Sequence, residues 1–253
     1  MNTNQSFIDY TLFLADSCLV LSQKNAEWCA HGPILEQDIA ITNITLDLVG
    51  QARNFYQLAA AMINQAGNGP ATEDSLAYLR TEREYKNLLI TELPNDDWAH
   101  TVLRQFFFSV YQYRLLEKLM LSDHEEIAAI AAKSIKETTY HVKWSSEWVI
   151  RLGDGTAESH ERMEKAITDL WAYTGEFFMP ASYENAAITG VDIASLEQDW
   201  LLKVKEVFDE ATLTVPEKTF MQSGGKTGTH TEHMGYLLAD MQYLQRTYPG
   251  AEW

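Results

Sequence analysis

The sequence predicts an all-α protein, and two features of its patterning support this prediction. Apolar residues recur at steps of three or four along most of the chain, which is the spacing of one face of an α-helix. Clusters of Gly, Pro and Asn separate these segments, whereas runs that alternate polar and apolar residues do not stand out. We therefore expect long helices joined by short connections.

The clearest of these helices spans residues 123–152. Its stripe at steps of three or four comprises Ile127, Ile130, Ser134, Thr138, His141, Ser145, Trp148 and Leu152. Acidic residues at its start suit the positive end of the helix dipole, and Gly153 supplies a stop. His141 is the one histidine on the face that we expect to be buried.

The remaining helices are predicted from the same periodicity. They cover residues 6–29, 34–64, about 75–91, 98–120, 157–177, 193–213 and 233–247. In the second helix the predicted stripe is Leu35, Ile39, Thr42, Leu46, Val49, Arg53, Tyr56, Ala60 and Ile63. Short turns make the first two helices antiparallel neighbours, and likewise the helices over 98–120 and 123–152.

Two antiparallel hairpins linked by a crossover are the plan of a ferritin-like four-helix bundle. We expect this bundle to carry additional helices and to form one domain over residues 1–253. Its core bundle would span about 6–152, with accessory helices over about 157–248.

Charge and cysteine content restrict the classes of protein. Nineteen Lys and Arg against 36 Asp and Glu give a net charge of −17, which argues against nucleic acid and anionic membranes as partners. Cys18 and Cys29 are predicted to be reduced. Since neither a signal peptide nor a long apolar run is evident, we expect a cytoplasmic protein.

A ligand count tests whether the predicted bundle could hold two irons. In di-iron bundles each hairpin contributes a Glu from one helix and a Glu-x-x-His from the other. This sequence contains no Glu-x-x-His, and Thr138 stands three residues before His141. Gly50 likewise stands three residues after Asp47. The helix over 98–120 has no acidic residue before Glu117.

The acidic and histidine positions that remain are Asp16, Asp47, Glu137 and His141. Because a di-iron site needs about six protein ligands, we predict no metal and no cofactor in this chain. His141 is then a hydrogen-bonded core residue beside Thr138 or Glu137.

Three further motifs resemble functional sites. Asp97 and His100 have nearly a ligand spacing, but Asp97 is favoured as a helix cap. His230 and His233 lack a visible third ligand, and we interpret them as capping or surface groups. The segment 224–227 shares a Gly-Lys-Thr run with phosphate-binding loops but lacks the full motif.

Several segments, spread over nearly the whole chain, carry a family resemblance. They are DSCLVLSQ (16–23), EWC (27–29), DLVGQARN (47–54), AKSIKETTYH (132–141), GGKTGTHTEH (224–233) and MQYLQR (241–246). In these segments the chain resembles the PaaC-type subunits of bacterial phenylacetyl-CoA epoxidases. The resemblance implies a ferritin-like, non-catalytic subunit that pairs with a related di-iron subunit of the PaaA type.

What the complex does is also implied by the resemblance alone. It would epoxidise the aromatic ring of phenylacetyl-CoA with O₂ during aerobic phenylacetate catabolism, using electrons that a reductase relays from NADPH. Di-iron is then expected in the partner subunit, and this chain is predicted to be inactive alone.

We expect the second helix to dock the catalytic subunit. Its polar groups and an aromatic residue, without Lys or Glu nearby, are typical of an interface core. The residues concerned are Asn43, Gln51, Arg53, Asn54 and Phe55. The alternative function is a stand-alone ferritin-like metal-dependent oxidase or hydroxylase that uses the remaining acidic and histidine residues. Ferritin-like iron storage would meet the same shortage of ligands.

Overall fold

The computed structural model describes residues 3–67, 69–217 and 219–251. Over these ranges the protein is all-α, with short 3₁₀ turns and no β-strand. Its helices are α1 (Thr3–Ala26), α2 (Leu35–Gln65), α3 (Glu73–Tyr78), α4 (Trp98–Leu119), α5 (Glu125–Gly153), α6 (Ala157–Leu170), α7 (Ala186–Thr189), α8 (Leu196–Glu210) and α9 (Glu232–Thr247). The predicted all-α helical fold is confirmed.

The chain divides into two compact units. The first comprises the chain up to Pro94, the short segment Ala181–Tyr183, and the chain from Gly224 onward. The second comprises Asn95–Pro180 and Glu184–Ser223. Inside the second unit, α6 and α8 pack on α4 and α5. The division into a core bundle over about 6–152 and accessory helices over about 157–248 stays a prediction. That residues 1–253 form one domain stays a prediction.

The first unit is built on the hairpin of α1 and α2, which pack along each other. Helix α2 has no side-chain cap at Ile34, but Glu36 and Asp38 in its first turn suit the helix dipole. Its predicted buried stripe is wrong over the first half of the helix. Leu35 is 72% exposed and Leu46 is 63% exposed.

The residues of α2 that the structure buries lie on the opposite face. They are Ala40, Ile41, Ile44, Thr45, Leu48, Gln51, Ala52, Phe55, Tyr56, Ala59 and Ala60. Because α2 carries apolar residues on two faces, periodicity alone could not decide which of them packs against α1. The second apolar face remains at the surface of the chain.

The crossover helix predicted over about 75–91 is much shorter in the structure. Helix α3 ends at Tyr78, and the chain continues through two 3₁₀ turns, Glu82–Glu84 and Leu89–Glu92. Two backbone N–H groups of this stretch donate to side chains of α1: Lys86 N to Asp16 Oδ2 at 2.8 Å and Leu88 N to Ser17 Oγ at 3.3 Å. These contacts across the fold replace the bonds that a continuing helix would make.

The second unit is built around α4. Every residue of this helix from Ala99 to Gln112 is buried, since α5, α6 and α8 all pack on it. A helix that is covered on every side needs apolar residues all round, which explains its aromatic-rich sequence. The predicted stripe of α5 is largely confirmed, because Ile127, Ser134 and Ser145 are fully buried.

One later helix is shorter than predicted. The helix predicted over 157–177 ends at Leu170 and is followed by 3₁₀ turns over Trp171–Tyr173 and Gly175–Phe178. The aromatic residues of this stretch explain the change. Phe177 stacks on Tyr111 with ring centroids 4.8 Å apart, a contact that the loosened chain makes within the core of this unit.

Candidate functional site

The candidate site begins with Asp16, a carboxylate of α1 that is completely buried. Its two oxygens accept hydrogen bonds from three residues. Tyr56 of α2 donates its hydroxyl to Oδ1 at 2.5 Å, and the Lys86 backbone N–H donates to Oδ2 at 2.8 Å. The remaining hydrogen bonds to Asp16 come from the Arg80 guanidinium.

Arg80 follows α3 and forms a two-pronged ion pair with Asp16. Its Nη1 donates to Asp16 Oδ2 at 3.0 Å, and its Nη2 donates to Oδ1. The guanidinium also donates from Nε to the Leu76 carbonyl at 2.5 Å and from Nη1 to the Glu84 carbonyl at 3.0 Å. It lies over the Tyr85 ring, 4.3 Å from the centroid. Such planar, two-pronged pairing is a property of Arg that Lys does not share.

The electrostatics of this cluster keep the arginine charged. Burial alone would lower the pKa of Arg80, but the Asp16 carboxylate beside it raises that pKa above its ordinary value. Burial and the same carboxylate raise the pKa of the Tyr56 hydroxyl, which therefore stays protonated as a donor. The Asp16 side chain therefore contacts one permanent cation and two neutral donors.

This arrangement does not fit a metal at Asp16. Each carboxylate oxygen already accepts two hydrogen bonds, and the negative charge is paired with Arg80. An iron ion would have to displace a buried guanidinium from both oxygens. Sequence reasoning identified the carboxylate and missed its partner, because Arg80, Arg83 and Lys86 all lie in the crossover and spacing does not distinguish them.

Asp47 and Gly50 are the other two positions of the first unit that the ligand count considered. Asp47 is half-buried on α2. Gly50 is exposed, and a side chain placed there would meet nothing within 4 Å. A di-iron site would need a ligand side chain at position 50, but the glycine there has none and faces open space.

In the second unit, His141 is fully buried on α5, as predicted. The Ser145 hydroxyl donates to its backbone carbonyl at 2.7 Å. The expected neighbour Thr138 is bonded elsewhere, since its hydroxyl donates to the Ser134 carbonyl at 3.0 Å and to Gln112 Oε1 at 3.4 Å. A hydroxyl therefore occupies the position where a carboxylate ligand would lie.

The segment 224–233 is a packing segment of the first unit. Gly225 and Lys226 are buried, and the Lys226 ammonium lies over the Phe13 ring, 5.1 Å from its centroid. A side chain on Gly225 would collide with the Asn87 carbonyl. Because the loop is filled by its own protein, a phosphate site of the P-loop kind is excluded at this position.

His230 and His233 do not share a site. His230 has its ring nitrogens 2.8 Å from Glu92 Oε2 and 3.1 Å from the Tyr85 carbonyl. The side chains of His230 and Glu92 are both completely buried. His233 is half-buried on the first turn of α9. Burial lowers the pKa of His230, but the hydrogen bond and charge of Glu92 outweigh it and raise that pKa above its ordinary value.

The cap predicted at Asp97 is confirmed. Its side chain accepts from the His100 backbone N–H at 3.0 Å at the start of α4. The same oxygen lies 2.7 Å from His100 Nδ1, and Asp169 Oδ2 lies 3.0 Å from His100 Nε2. Within the described ranges, one set of His, Cys, Asp or Glu side chains brings three ligand atoms within 4.8 Å of one another: Asp96, His100 and Asp169.

The five predicted docking residues do not lie on one face of α2. Asn43 and Arg53 are exposed and Asn54 is half-buried, whereas Gln51 and Phe55 are buried within the chain. The surface position expected of Gln51 and Phe55 is therefore corrected, because the face that they occupy packs against the rest of the chain. Arg53 forms an exposed ion pair with Glu73 at 3.3 Å and is not the partner of Asp16.

None of the helices in the described residues is both long enough and apolar enough to cross a membrane. Cys18, which is buried, and Cys29, which is exposed, are not joined in a disulfide.

The fold and the site define a class of protein: an all-α helical protein in which the buried carboxylate of Asp16 is paired with an arginine. The chain belongs to the family described as "Phenylacetic acid catabolic protein", whose profile matches residues 1–253. It is 47% identical over 250 residues to a subunit of the 1,2-phenylacetyl-CoA epoxidase of Escherichia coli (strain K12). That match covers 96% of this chain and 98% of the relative.

Proposed function

We propose that this chain is the non-catalytic structural subunit of a multicomponent oxygenase that epoxidises the ring of phenylacetyl-CoA in phenylacetate catabolism. The observation that supports the subunit assignment is the 47% identity to an epoxidase subunit over nearly the full length of both chains. The observation that supports the non-catalytic role is the ion pair between Arg80 and Asp16. A subunit that holds no di-iron centre contributes assembly and support to the subunit that does.

We infer that the partner is a related di-iron subunit of the PaaA type. In this proposal the catalytic chemistry, the iron and the contact with O₂ belong to that partner, and a reductase supplies electrons from NADPH. The complex works in the cytoplasm. The residues of this chain bind and position the partner and carry out no chemical step.

The outer face of α2 is the surface that we propose for docking. Leu35, Ile39, Leu46 and Val49 are exposed there at helical spacing. The same face carries Asn43 and Arg53, with Asn54 at its edge. A helix that is apolar on two faces has a second face to bury, and an apolar patch rimmed by polar groups is typical of an interaction surface.

Reconstitution tests this proposal. NADPH-dependent epoxidation of phenylacetyl-CoA is measured with the complete set of subunits, with this chain omitted, and with this chain and the reductase alone. We expect turnover in the complete set, a large loss when this chain is omitted, and none from the chain with reductase. Multiple turnovers by the chain with reductase would refute the non-catalytic role and favour the stand-alone oxidase.

Metal analysis gives a second, independent test of the same role. After anaerobic loading with iron and removal of excess, the parent chain is expected to hold far less than the roughly two irons of a di-iron bundle. Asp47→Asn and His141→Ala should leave the iron content unchanged. A content of about two irons per chain that either variant abolishes would contradict the proposal.

A further inference from the structure

A groove with a volume of about 540 Å³ lies between α4, α5 and α8, entirely within the second compact unit. Its apolar lining comes from all three helices and comprises Val110, Val142, Ile150 and Val207. Val110 and Val207 are each only 2% exposed and form its deepest part. Sites for small molecules usually have volumes of roughly 300–1,000 Å³, with an apolar lining and a few polar groups. The groove therefore has the size and the lining of a small-molecule site.

Ser146 adds an unpaired hydroxyl to the α5 side of this groove. The residue is 8% exposed, and its Oγ is buried without a hydrogen-bond partner among the described residues. Neighbouring hydroxyls of α5 are paired: Ser145 donates to the His141 carbonyl and Thr139 to the Ile135 carbonyl, both at 2.7 Å. Because a buried hydroxyl is normally hydrogen-bonded, Ser146 lacks a partner that a ligand could provide. Rotation about its Cα–Cβ bond turns Oγ toward the groove.

Two opposite charges lie on either side of Ser146 along α5. Lys143 and Glu147 both line the groove, and their separation of four residues is about 6 Å along the helix axis. Within the described ranges neither of them forms an ion pair. At the same spacing and in the same order on α6, Lys165 and Asp169 do pair, at 2.7 Å. The ammonium of Lys143 and the carboxylate of Glu147 are therefore both available to a ligand.

The other charged groups of the groove do not change this balance. Arg114 is paired with Glu117 at 2.8 Å, and Lys203 is paired with Glu206 at 2.7 Å. Glu210 also lines the groove, and no described residue forms an ion pair with it. Since unpaired charges of both signs are present, the groove suits neither a simple anion nor a simple cation. It suits a ligand that carries one charge of each sign.

We propose that this groove binds a free amino acid with a bulky apolar side chain. The Lys143 ammonium binds the carboxylate of the ligand, and the Glu147 carboxylate binds its ammonium group. The Ser146 hydroxyl, which lies between these two residues in the helix, bonds to the polar end of the ligand. The apolar lining around Val110 and Val207 covers the side chain of the ligand.

An amino acid matches this groove because its two charges sit on one carbon atom, so that both can be bound by residues one helical turn apart. The volume of the groove leaves room for a large side chain beside that carbon. Binding at this site does not depend on the proposed function of the complex, because the residues involved lie on α4, α5 and α8 of this chain alone.

Binding of L-tryptophan to the full chain tests this site. Calorimetric titration compares it with two probes that carry the same indole ring: tryptamine, which lacks the carboxylate, and indole-3-propionate, which lacks the ammonium group. Methyl NMR of Val110, Val142 and Val207 shows whether the ring enters the groove. We expect L-tryptophan to bind about tenfold more tightly than either analogue, because each analogue loses one charge-assisted hydrogen bond. The three valine methyl signals should shift on binding.

Three variants assign the roles of the polar residues. Lys143→Gln should weaken binding of L-tryptophan and indole-3-propionate about tenfold and leave tryptamine unchanged. Glu147→Gln should weaken binding of L-tryptophan and tryptamine and leave indole-3-propionate unchanged. Ser146→Ala should weaken binding of L-tryptophan about fivefold without lowering the melting temperature, because its Oγ has no partner in the free chain. The matched control is Lys136→Gln, an exposed lysine of the same helix that does not line the groove.

Absence of L-tryptophan binding would overturn the proposal, and so would equal binding of all three probes, which would indicate adsorption of the indole ring alone. The same conclusion follows if Lys143→Gln and Glu147→Gln weaken binding no more than Lys136→Gln, or if the three valine methyl signals do not shift. The titration is repeated with the assembled complex. If assembly abolishes binding of L-tryptophan, a protein partner covers the groove, and the groove is then a docking surface and not an amino-acid site.

Discussion

The guanidinium of Arg80 is bonded to both carboxylate oxygens of Asp16, although the two residues lie 64 positions apart. In the first compact unit this contact places a fixed organic cation beside the carboxylate that a metal would otherwise need. It also fastens the end of α3 to the middle of α1. Asp16, which the sequence offers as a possible metal ligand, therefore stabilises the first unit through its ion pair with Arg80.

Removal of the cation should destabilise the protein strongly. We expect Arg80→Met to lower the free energy of unfolding by about 3–5 kcal/mol, because a buried carboxylate is left without its counter-charge. Urea unfolding followed by circular dichroism measures the change. Adding Asp16→Asn to Arg80→Met removes the unpaired charge and should recover part of the loss.

The matched control for Arg80 is Arg53→Met. Arg53 also pairs with an acid, Glu73 at 3.3 Å, but its side chain is 66% exposed. Surface ion pairs contribute only about 0–1 kcal/mol, so this variant should unfold almost like the parent. If Arg80→Met and Arg53→Met lower the free energy of unfolding equally, the buried Asp16–Arg80 pair stabilises the protein no more than a surface ion pair does.

His230 should make stability depend on pH. The pKa of His230 is raised in the folded state, mainly because Glu92 outweighs the effect of burial. The stability that this pair contributes is therefore fully present below the unfolded pKa of about 6.5 and is lost as pH rises through the higher folded pKa. We expect His230→Gln to cost about 1–3 kcal/mol near pH 6 and less at higher pH.

Urea midpoints of the parent and His230→Gln, measured across this pH range, test the prediction. His160→Gln is the control, since His160 is only partly buried. A difference between parent and His230→Gln that stays constant or grows as the pH rises would contradict the assigned sign.

The outer face of α2 should be required for assembly. We expect Leu46→Glu and Arg53→Glu to weaken co-purification with the catalytic subunit while the circular dichroism of the free chain stays unchanged. Phe55→Asp cannot serve here, because Phe55 is buried and the substitution would unfold the chain. Leu202→Glu is the control, since Leu202 is 60% exposed on α8. If the α2 variants assemble as tightly as Leu202→Glu, another surface docks the partner.

His141 is expected to matter for stability and not for turnover. His141→Ala should destabilise the chain by about 1–3 kcal/mol, because it leaves a cavity and disturbs buried polar neighbours on α5. The assembled complex should keep most of its activity at a temperature where the variant is folded. Loss of turnover with unchanged melting and unchanged assembly would instead assign His141 a chemical role.

The sequence by itself was sufficient to predict the all-α class and the approximate extent of α1, α2, α4, α5 and α9. Helical periodicity is local, so a stripe at steps of three or four is visible without knowledge of its partner. The absence of any Glu-x-x-His is likewise a property of the sequence alone. The family relationship was also recognisable from motifs along the chain, and the match over residues 1–253 confirms it.

Only the tertiary structure decided which groups meet across the chain. It selected the inner face of α2 over an equally periodic apolar face, and it ended α3 at Tyr78 where the chain bonds to α1. It paired Asp16 with Arg80, His100 with Asp169 and Glu92 with His230, over separations of 64, 69 and 138 residues. Periodicity shows which residues of a segment share a face, but it does not show which other segment that face packs against. The tertiary structure decides among several possible cations because burying a charge costs free energy unless a specific opposite charge lies beside it.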